Sequence, residues 1–348
     1  MRIAMPVALL FTLGLAAAPA VAFHDGGVAS CEGCHVTHNS VDGVSVVPGP
    51  GNEYSLKAGS ASDVCLICHA TSAGAVLGLN PLAPPPEIGG GNFVFLFENN
   101  LNDADGGGAS PISGQAAGHN VVAPAFGLFQ ENRYSFAPGG VFPVAELGCT
   151  SCHDPHGRDT FRLLHGAGEV QGGVTFTAGA PNASGLELAP GELEVPTRHT
   201  AYRSGMTAWC SNCHGRYHEG LGATFEHPID DPLSIAVVEQ YNKYDGVNNP
   251  TGGTSLTAYL PEVPFEDPNA AVGSTAGPTF SSRVSCMSCH RAHATSAPAA
   301  GRWDFAVATL GDDGVASGSW PIPNPYDDPS QPGLCWKCHT GGAPAPTP

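Results

Sequence analysis

The sequence predicts a mostly irregular fold with short α-helices and few short strands. Glycine and proline are abundant, at 46 and 32 of 348 residues, and only 13% of the residues are charged. Both residue types interrupt regular elements and favour turns. All twelve cysteines occur in Cys-x-x-Cys pairs that are followed directly by histidine. We therefore expect an elongated unit in which most helices are the turns of these motifs, around a core supplied by groups bound there.

The N-terminus has the pattern of a secretory signal. Arg2 precedes a largely apolar run, and small residues at 20–22 offer a cleavage site. We expect residues 1–22 to be removed and the protein to be secreted through the periplasm to the cell surface or beyond. The apolar run is too short for a typical membrane span, although a retained N-terminal anchor is the alternative.

The charge balance restricts the possible partners. The formal net charge is -18, and the only lysines are Lys57, Lys243 and Lys337. A strongly acidic surface disfavours nucleic acids and anionic membranes, whereas cationic partners and metal cations stay possible.

The six cysteine motifs predict six covalently bound c-type haems. Two thiols three positions apart on a helical turn can each form a thioether with a haem vinyl group, and the next residue, histidine, can bind the iron from the proximal side. The motifs are Cys31, Cys34 and His35; Cys65, Cys68 and His69; Cys149, Cys152 and His153; Cys210, Cys213 and His214; Cys286, Cys289 and His290; and Cys335, Cys338 and His339.

Disulfides, zinc sites and redox-active dithiols are the other common uses of such cysteines. Disulfides are the usual expectation for an exported protein, and zinc sites and dithiols share the Cys-x-x-Cys element. None of the three explains a histidine after every pair, so we favour haem at all six motifs.

Histidine is also the expected second axial ligand. Nine histidines remain outside the motifs, whereas methionines outside the signal are only Met206 and Met287. The ligand pattern repeats three times: a leading histidine, a Cys-x-x-Cys-His-x-x-His, and a plain Cys-x-x-Cys-His. This pattern selects as distal ligands His24, His38, His119, His156, His227 and His293.

Which distal histidine serves which iron stays open. A histidine three positions after a proximal ligand lies on the same helical face, so it is badly placed to reach the far side of its own haem and should serve another. If His156 reaches the first haem and His293 the third, His38 has no earlier haem in its own chain. A surface or propionate-binding role is the alternative for each distal candidate, and the favoured role for His165, His199 and His218; His218 is the substitute if one assignment fails.

The chain between the motifs shows no clear division. We expect one domain over residues 23–340, with haem-pair modules at about 23–70, 119–215 and 227–340, and a flexible Pro-rich tail at 341–348. Residues 93–97 are expected to form a short strand and residues 234–244 a helix.

Short segments around the motifs form a recognisable set. They are 23–29, His38-Asn39-Ser40, Gly118-His119-Asn120, Cys-His-Asp-Pro-His-Gly at 152–157, Gly205-Met206, Trp209-Cys210, His227-Pro228, Cys-His-Arg-Ala-His-Ala at 289–294, and Leu334-Cys335. In these segments, and in their order from residue 23 to 339, the chain resembles the OmcS-type hexahaem cytochromes of metal-reducing bacteria, while the linkers are largely unlike and shorter.

The resemblance implies a polymer. That family forms extracellular filaments with a continuous chain of bis-histidine haems in alternating parallel and T-shaped pairs. Carried over, His38 would bind the iron of the haem at Cys286, Cys289 and His290 of the adjacent subunit.

Three functions fit the sequence to different degrees. The first is a filament that conducts electrons from upstream cytochromes to extracellular acceptors such as metal oxides or partner cells. The second is a discrete periplasmic or surface electron shuttle. The third is a multihaem reductase, which requires an iron with an open position; no motif variant marks one, so we expect no enzymatic activity and no catalytic residues.

Overall fold

The computed structural model describes residues 31–52, 54–70, 76–86, 89–103, 111–186, 188, 192–218 and 229–340. The expected signal and tail, together with His24 and His227, lie outside these residues. Within the described part of the chain, no helix has both the length and the apolar character that crossing a bilayer requires.

Short helices carry the cysteine motifs, as predicted. Four α-helices span Ala61–His69 (α1), Met206–His218 (α2), Ile235–Lys243 (α3) and Cys286–Cys289 (α4). Single 3-10 turns form the other motifs and several connections: Cys31–Gly33, Phe93–Phe97, Gly114–Ala117, Pro124–Phe126, Val144–Glu146, Cys149–Ser151, Phe161–Leu163, Pro298–Ala300, Leu310–Asp312 and Leu334–Lys337.

The described strands form three small antiparallel pairs. Ser40–Val41 (β1) pairs with Val44–Ser45 (β2), Val170–Gln171 (β3) with Val174–Thr175 (β4), and Asn182–Ser184 (β5) with Ala201–Ser204 (β6). The two tight hairpins turn through Asp42-Gly43 and Gly172-Gly173, all four with positive φ. That conformation suits a two-residue hairpin, and glycine adopts it without strain. The fold class expected from the sequence is confirmed.

One of the two predicted elements between motifs is correct and the other is wrong. Ser234 caps α3 by accepting a hydrogen bond from the backbone N–H of Val237. In contrast, Phe93–Phe97 is a 3-10 helix, not a strand. Its Phe93, Val94 and Phe95 are all buried, and a run that is apolar on every face does not distinguish a strand from a helix.

The core consists of separate apolar clusters. One is built around the segment at 93–97 with Leu66, Ala117 and Leu128. A second joins Tyr241 of α3 to Trp303 and Leu334, and reaches the cysteines of the last two motifs. Apolar side chains thus converge on the motifs themselves.

Candidate functional site

Each motif forms a helical turn, either alone or as part of a longer helix. In the first, third, fifth and sixth motifs the histidine N–H donates a hydrogen bond to the carbonyl of the first cysteine, at 2.9–3.0 Å. The second and fourth motifs lie within α1 and α2. This turn places both thiols and the imidazole on one side, as covalent haem attachment requires.

The thiols of consecutive motifs approach one another in alternation. Burial and the neighbouring Cys68 thiol raise the pKa of Cys34, and burial and Cys213 likewise raise that of Cys152. Burial and Cys338 raise the pKa of Cys289. In all three cases the second cysteines of two motifs are neighbours.

The intervening steps bring first cysteines together. A hydrogen bond joins the thiols of Cys65 and Cys149, and another joins those of Cys210 and Cys286. At every step from one motif to the next, cysteines of the two motifs are therefore neighbours, and the pair with the strongest interaction alternates between second with second and first with first.

A repeated backbone contact supports the steps between first cysteines. The N–H of Cys149 donates to the hydroxyl of Ser62 at 3.1 Å, and the N–H of Cys286 donates to that of Thr207 at 3.2 Å. Ser62 lies three positions before Cys65, the first cysteine of the second motif, and Thr207 lies three positions before Cys210, the first cysteine of the fourth. These contacts hold α1 against the third motif and α2 against the fifth.

The histidines of the odd motifs are held by one repeated arrangement. His35, His153 and His290 each place Nδ1 at 2.8 Å from a backbone carbonyl oxygen, those of Tyr54, Arg162 and Ala299. Each histidine also forms a β-bridge with the residue two positions after the one that supplies this carbonyl. These bridge partners are Leu56, Leu164 and Gly301. We call 54–57, 162–165 and 299–302 the return segments. An Nδ1 that donates to a carbonyl leaves Nε2 free to bind a metal.

Residues with positive φ shape the return segments. Ser55, Arg162, Leu163, Ala299 and Ala300 all have φ between 52° and 58°. L-residues rarely adopt this conformation, so the backbone is strained there. This backbone conformation directs the carbonyl toward the histidine. No particular residue type occurs at these positions, so the sequence does not predict the conformation.

Two pairs of histidine rings have the spacing of axial ligands on one iron. The ring centroids of His35 and His156 lie 6.3 Å apart with planes inclined by 15°, and those of His119 and His214 lie 5.9 Å apart. Two metal–nitrogen bonds of about 2 Å, plus the distance from each nitrogen to its ring centre, give roughly 6 Å. Both gaps therefore fit an iron between the rings.

The second nitrogens of the candidate distal histidines also have partners. Nδ1 of His119 lies 2.6 Å from the carbonyl oxygen of Ala292. Nδ1 of His156 lies 3.3 Å from the Asp154 carboxylate. Asp154 also accepts the His156 backbone N–H, a local turn that Asp-Pro-His sequences favour. Sequence reasoning missed Asp154, although this turn pattern could have revealed it.

Burial keeps several of these imidazoles neutral. Burial, and then the neighbouring His119, lower the pKa of His214 to about 4. Burial, and then His153, lower that of His293 to about 3. Since only a neutral imidazole offers a lone pair to a metal, these environments favour metal binding at neutral pH.

His38 is exposed, as is His156. His38 lines an open hollow of about 300 Å³ next to the first motif, together with Asn39 and Asn52. The adjacent hairpin and return segment expose apolar side chains, with Val44 at 70% and Tyr54 at 66% of their full accessible area.

His165 and His199 are buried and hydrogen-bonded to backbone carbonyls. His165 Nε2 lies 2.9 Å from the Thr150 oxygen, and both nitrogens of His199 lie 2.9 Å from carbonyl oxygens. His218 ends α2. The preference for other histidines as ligands stays a prediction.

Arg302 is a buried cation that the sequence did not reveal. It is 1% exposed and donates to the carbonyls of Met287 and Pro261, while its Nη2 has no partner. Its backbone N–H donates to Cys289 of the fifth motif. An unpaired buried guanidinium nitrogen at a motif fits the carboxylate of a haem propionate.

Comparison with known proteins gives concordant results. A family defined by a doubled CXXCH motif matches residues 142–171. The C-type cytochrome OmcS of Geobacter sulfurreducens is 30% identical over 88% of this chain and 85% of its own length. Two solved structures of that organism share the fold at 24% identity, covering 91% of this chain and 99% of theirs. One is described as OmcS nanowires and the other as an Outer Membrane Cytochrome S filament, with TM-scores of 0.74 and 0.75.

These matches confirm the resemblance inferred from the motifs, and with it six covalently bound haem c groups. The chain belongs to the OmcS family of multihaem c-type cytochromes.

Proposed function

We propose that this cytochrome assembles head to tail into an extracellular filament that carries electrons along a continuous line of haems to external acceptors. The observation that carries the proposal is the unbroken series of neighbouring cysteines from the first motif to the sixth. Haem supplies the redox chemistry, and the protein fixes spacing, burial and axial ligands. The relative's nanowires and filament give the same assembly as precedent.

The ligand assignment follows the threefold pattern. His156 faces His35, so the histidine after an odd motif serves the odd haem of the preceding module. His119 faces His214, so a leading histidine serves the even haem of its own module. By the same pattern His293 serves His153, His24 serves His69, and His227 serves His339.

His38 is then the one distal candidate without an iron in its own chain. The remaining odd haem is that of His290, which we assign to His38 of the adjacent subunit. The exposed apolar side chains in the same segment of the chain as His38, Val44 and Tyr54, support this role, because exposed apolar side chains are typical of an interaction site.

We propose pure electron transfer without substrate turnover. Histidine pairs on both sides of every iron leave no open coordination position for a substrate. Optical spectra of the oxidised filament should lack a high-spin band, and cyanide should not bind. Either signal would favour a reductase instead.

The test is electron microscopy of the purified protein and of His38→Ala. Wild type should form filaments, and His38→Ala should stay monomeric because one junction ligand is lost. His119→Ala is the matched control: it also removes one axial histidine, but from within a chain, so it should still polymerise. A strictly monomeric wild-type protein would support the discrete shuttle and overturn the proposal, as would filaments of His38→Ala with unchanged haem spectra.

A further inference from the structure

Three buried aspartates that belong to none of the cysteine motifs meet at one place. Asp103, Asp304 and Asp313 are 7%, 2% and 4% exposed, and one carboxylate oxygen of each lies within 4.8 Å of the other two. They come from distant parts of the chain: Asp103 lies between the second and third motifs, and the other two lie between the fifth and sixth.

The local hydrogen bonds preorganise the cluster. Asp103 accepts from the backbone N–H groups of Gly314 and Ser317, at 3.0 and 2.9 Å, and from the hydroxyls of Ser317 and Ser319. Asp304 accepts from the N–H of Ala306. These bonds fix the carboxylates in place without neutralising them.

Asp313 supplies the observation that points to a ligand. Its Oδ2 accepts the backbone N–H of Ile322, whereas its Oδ1 is fully buried and has no hydrogen-bond partner. An oxygen in this position costs free energy unless a proton or a cation satisfies it.

No positive side chain balances the cluster among the residues that the structure describes. None of their ion pairs involves the three aspartates. Another buried carboxyl, that of Glu98, also repels Asp313. Burial, and then repulsion from Asp103 and Asp304, raise the pKa of Asp313 to about 8. A bound cation would relieve this repulsion between carboxylates.

We propose that Asp103, Asp304 and Asp313 form a calcium site that joins the 311–314 loop to the chain at 101–103. Calcium binds carboxylate and carbonyl oxygens at about 2.3–2.6 Å, so two ligand oxygens on one ion lie at most about 5 Å apart. The cluster meets this limit. Bound calcium would fix the segment that leads into the sixth motif, and water and backbone carbonyls would complete the coordination shell.

The test uses the intact holoprotein after treatment with EGTA. Elemental analysis after addition of calcium chloride and gel filtration should find about one calcium ion per six irons. Saturating calcium should raise the thermal midpoint by about 5 °C, because the ion binds only the folded state. Wild type that retains no calcium, or whose midpoint does not respond, would overturn the proposal; an equal response to magnesium would overturn the choice of calcium.

Two variants separate this site from haem propionates and from misfolding. Asp313→Asn should lose the calcium response and yet melt higher than wild type in EGTA at pH 9, since above the Asp313 pKa of about 8 it removes an unpaired buried charge. Asp312→Asn is the matched control: Asp312 is exposed and accepts only from Thr309, so its response should equal that of wild type. Undiminished calcium binding by Asp313→Asn would place the ion elsewhere and overturn the proposal.

Discussion

The imidazoles of His35 and His156 face each other almost in parallel, with their centroids 6.3 Å apart, although they belong to the first and third motifs. In the proposed assignment, this pair is a ligand crossing that ties one module to the next. It would explain why a histidine three positions after a motif is useful: it would serve the haem of a neighbouring module and not its own.

Loss of His156 should leave one iron five-coordinate. In His156→Ala, about one in six haems should turn high-spin, visible by electron paramagnetic resonance of the oxidised protein. His165→Gln is the control, because His165 is buried but bonded to the Thr150 carbonyl, and all its haems should stay low-spin. Fully low-spin spectra of His156→Ala would contradict the assignment.

Asp154 should tune the same iron through His156. Partial burial raises the pKa of Asp154, but hydrogen bonds from Arg158 and the His156 N–H outweigh this and lower it, so the carboxylate is charged at neutral pH. Asp154→Asn weakens the acceptor for His156 Nδ1, makes the ligand less basic and should shift one haem potential positive. Spectroelectrochemical titration measures the shift. Asp159→Asn should leave all six potentials unchanged, and an equal shift in both variants would indicate a general charge effect.

Glu98 should make stability depend on pH. Burial raises its pKa to about 7, above the ordinary value of 4.5, although Trp320 and Ser296 donate hydrogen bonds to it. The folded protein therefore holds this proton more tightly than the unfolded chain. Its stabilising contribution is complete below about pH 4.5 and is lost as the pH rises through 7.

The difference between Glu98→Gln and wild type isolates this effect. The free energy of unfolding of the variant, relative to wild type, should rise between pH 5 and 8 by at most about 3 kcal/mol. Denaturant titrations at several pH values give this difference. A relative stability that does not change with pH would show that Glu98 titrates normally.

Arg302 should raise the potential of the fifth haem. A fixed positive charge near an iron favours the reduced state, so Arg302→Met should shift one midpoint potential negative by roughly 50 mV. The exposed Arg198, which pairs with Glu192, provides the control: Arg198→Gln should leave the potentials in place, because solvent screens its charge. Unchanged potentials in Arg302→Met would rule out a propionate partner for Arg302.

The sequence was most informative where chemistry fixes residue type. The cysteine and histidine spacing predicts the cofactor, its number and the turns that bind it, and Ser234 predicts the start of α3. The strand predicted at 93–97 was wrong, because a segment that is buried on all faces lacks the hydrophobic periodicity that distinguishes a strand from a helix. The return segments act through backbone carbonyls and positive φ angles, which any residue type can supply.

The alternation of cysteine pairs has a consequence that depends on whether the number of motifs is even or odd. The first and last of the five steps within one chain have second cysteines as their strongest pair, so continued alternation at either end would pair first cysteines, Cys335 with Cys31. A second copy can therefore continue the series in phase only because the number of motifs is even. Gain or loss of a single motif would break the alternation of cysteine pairs at the junction between copies. Gain or loss of two motifs would preserve it. Chains of this kind should therefore change length by two haems at a time.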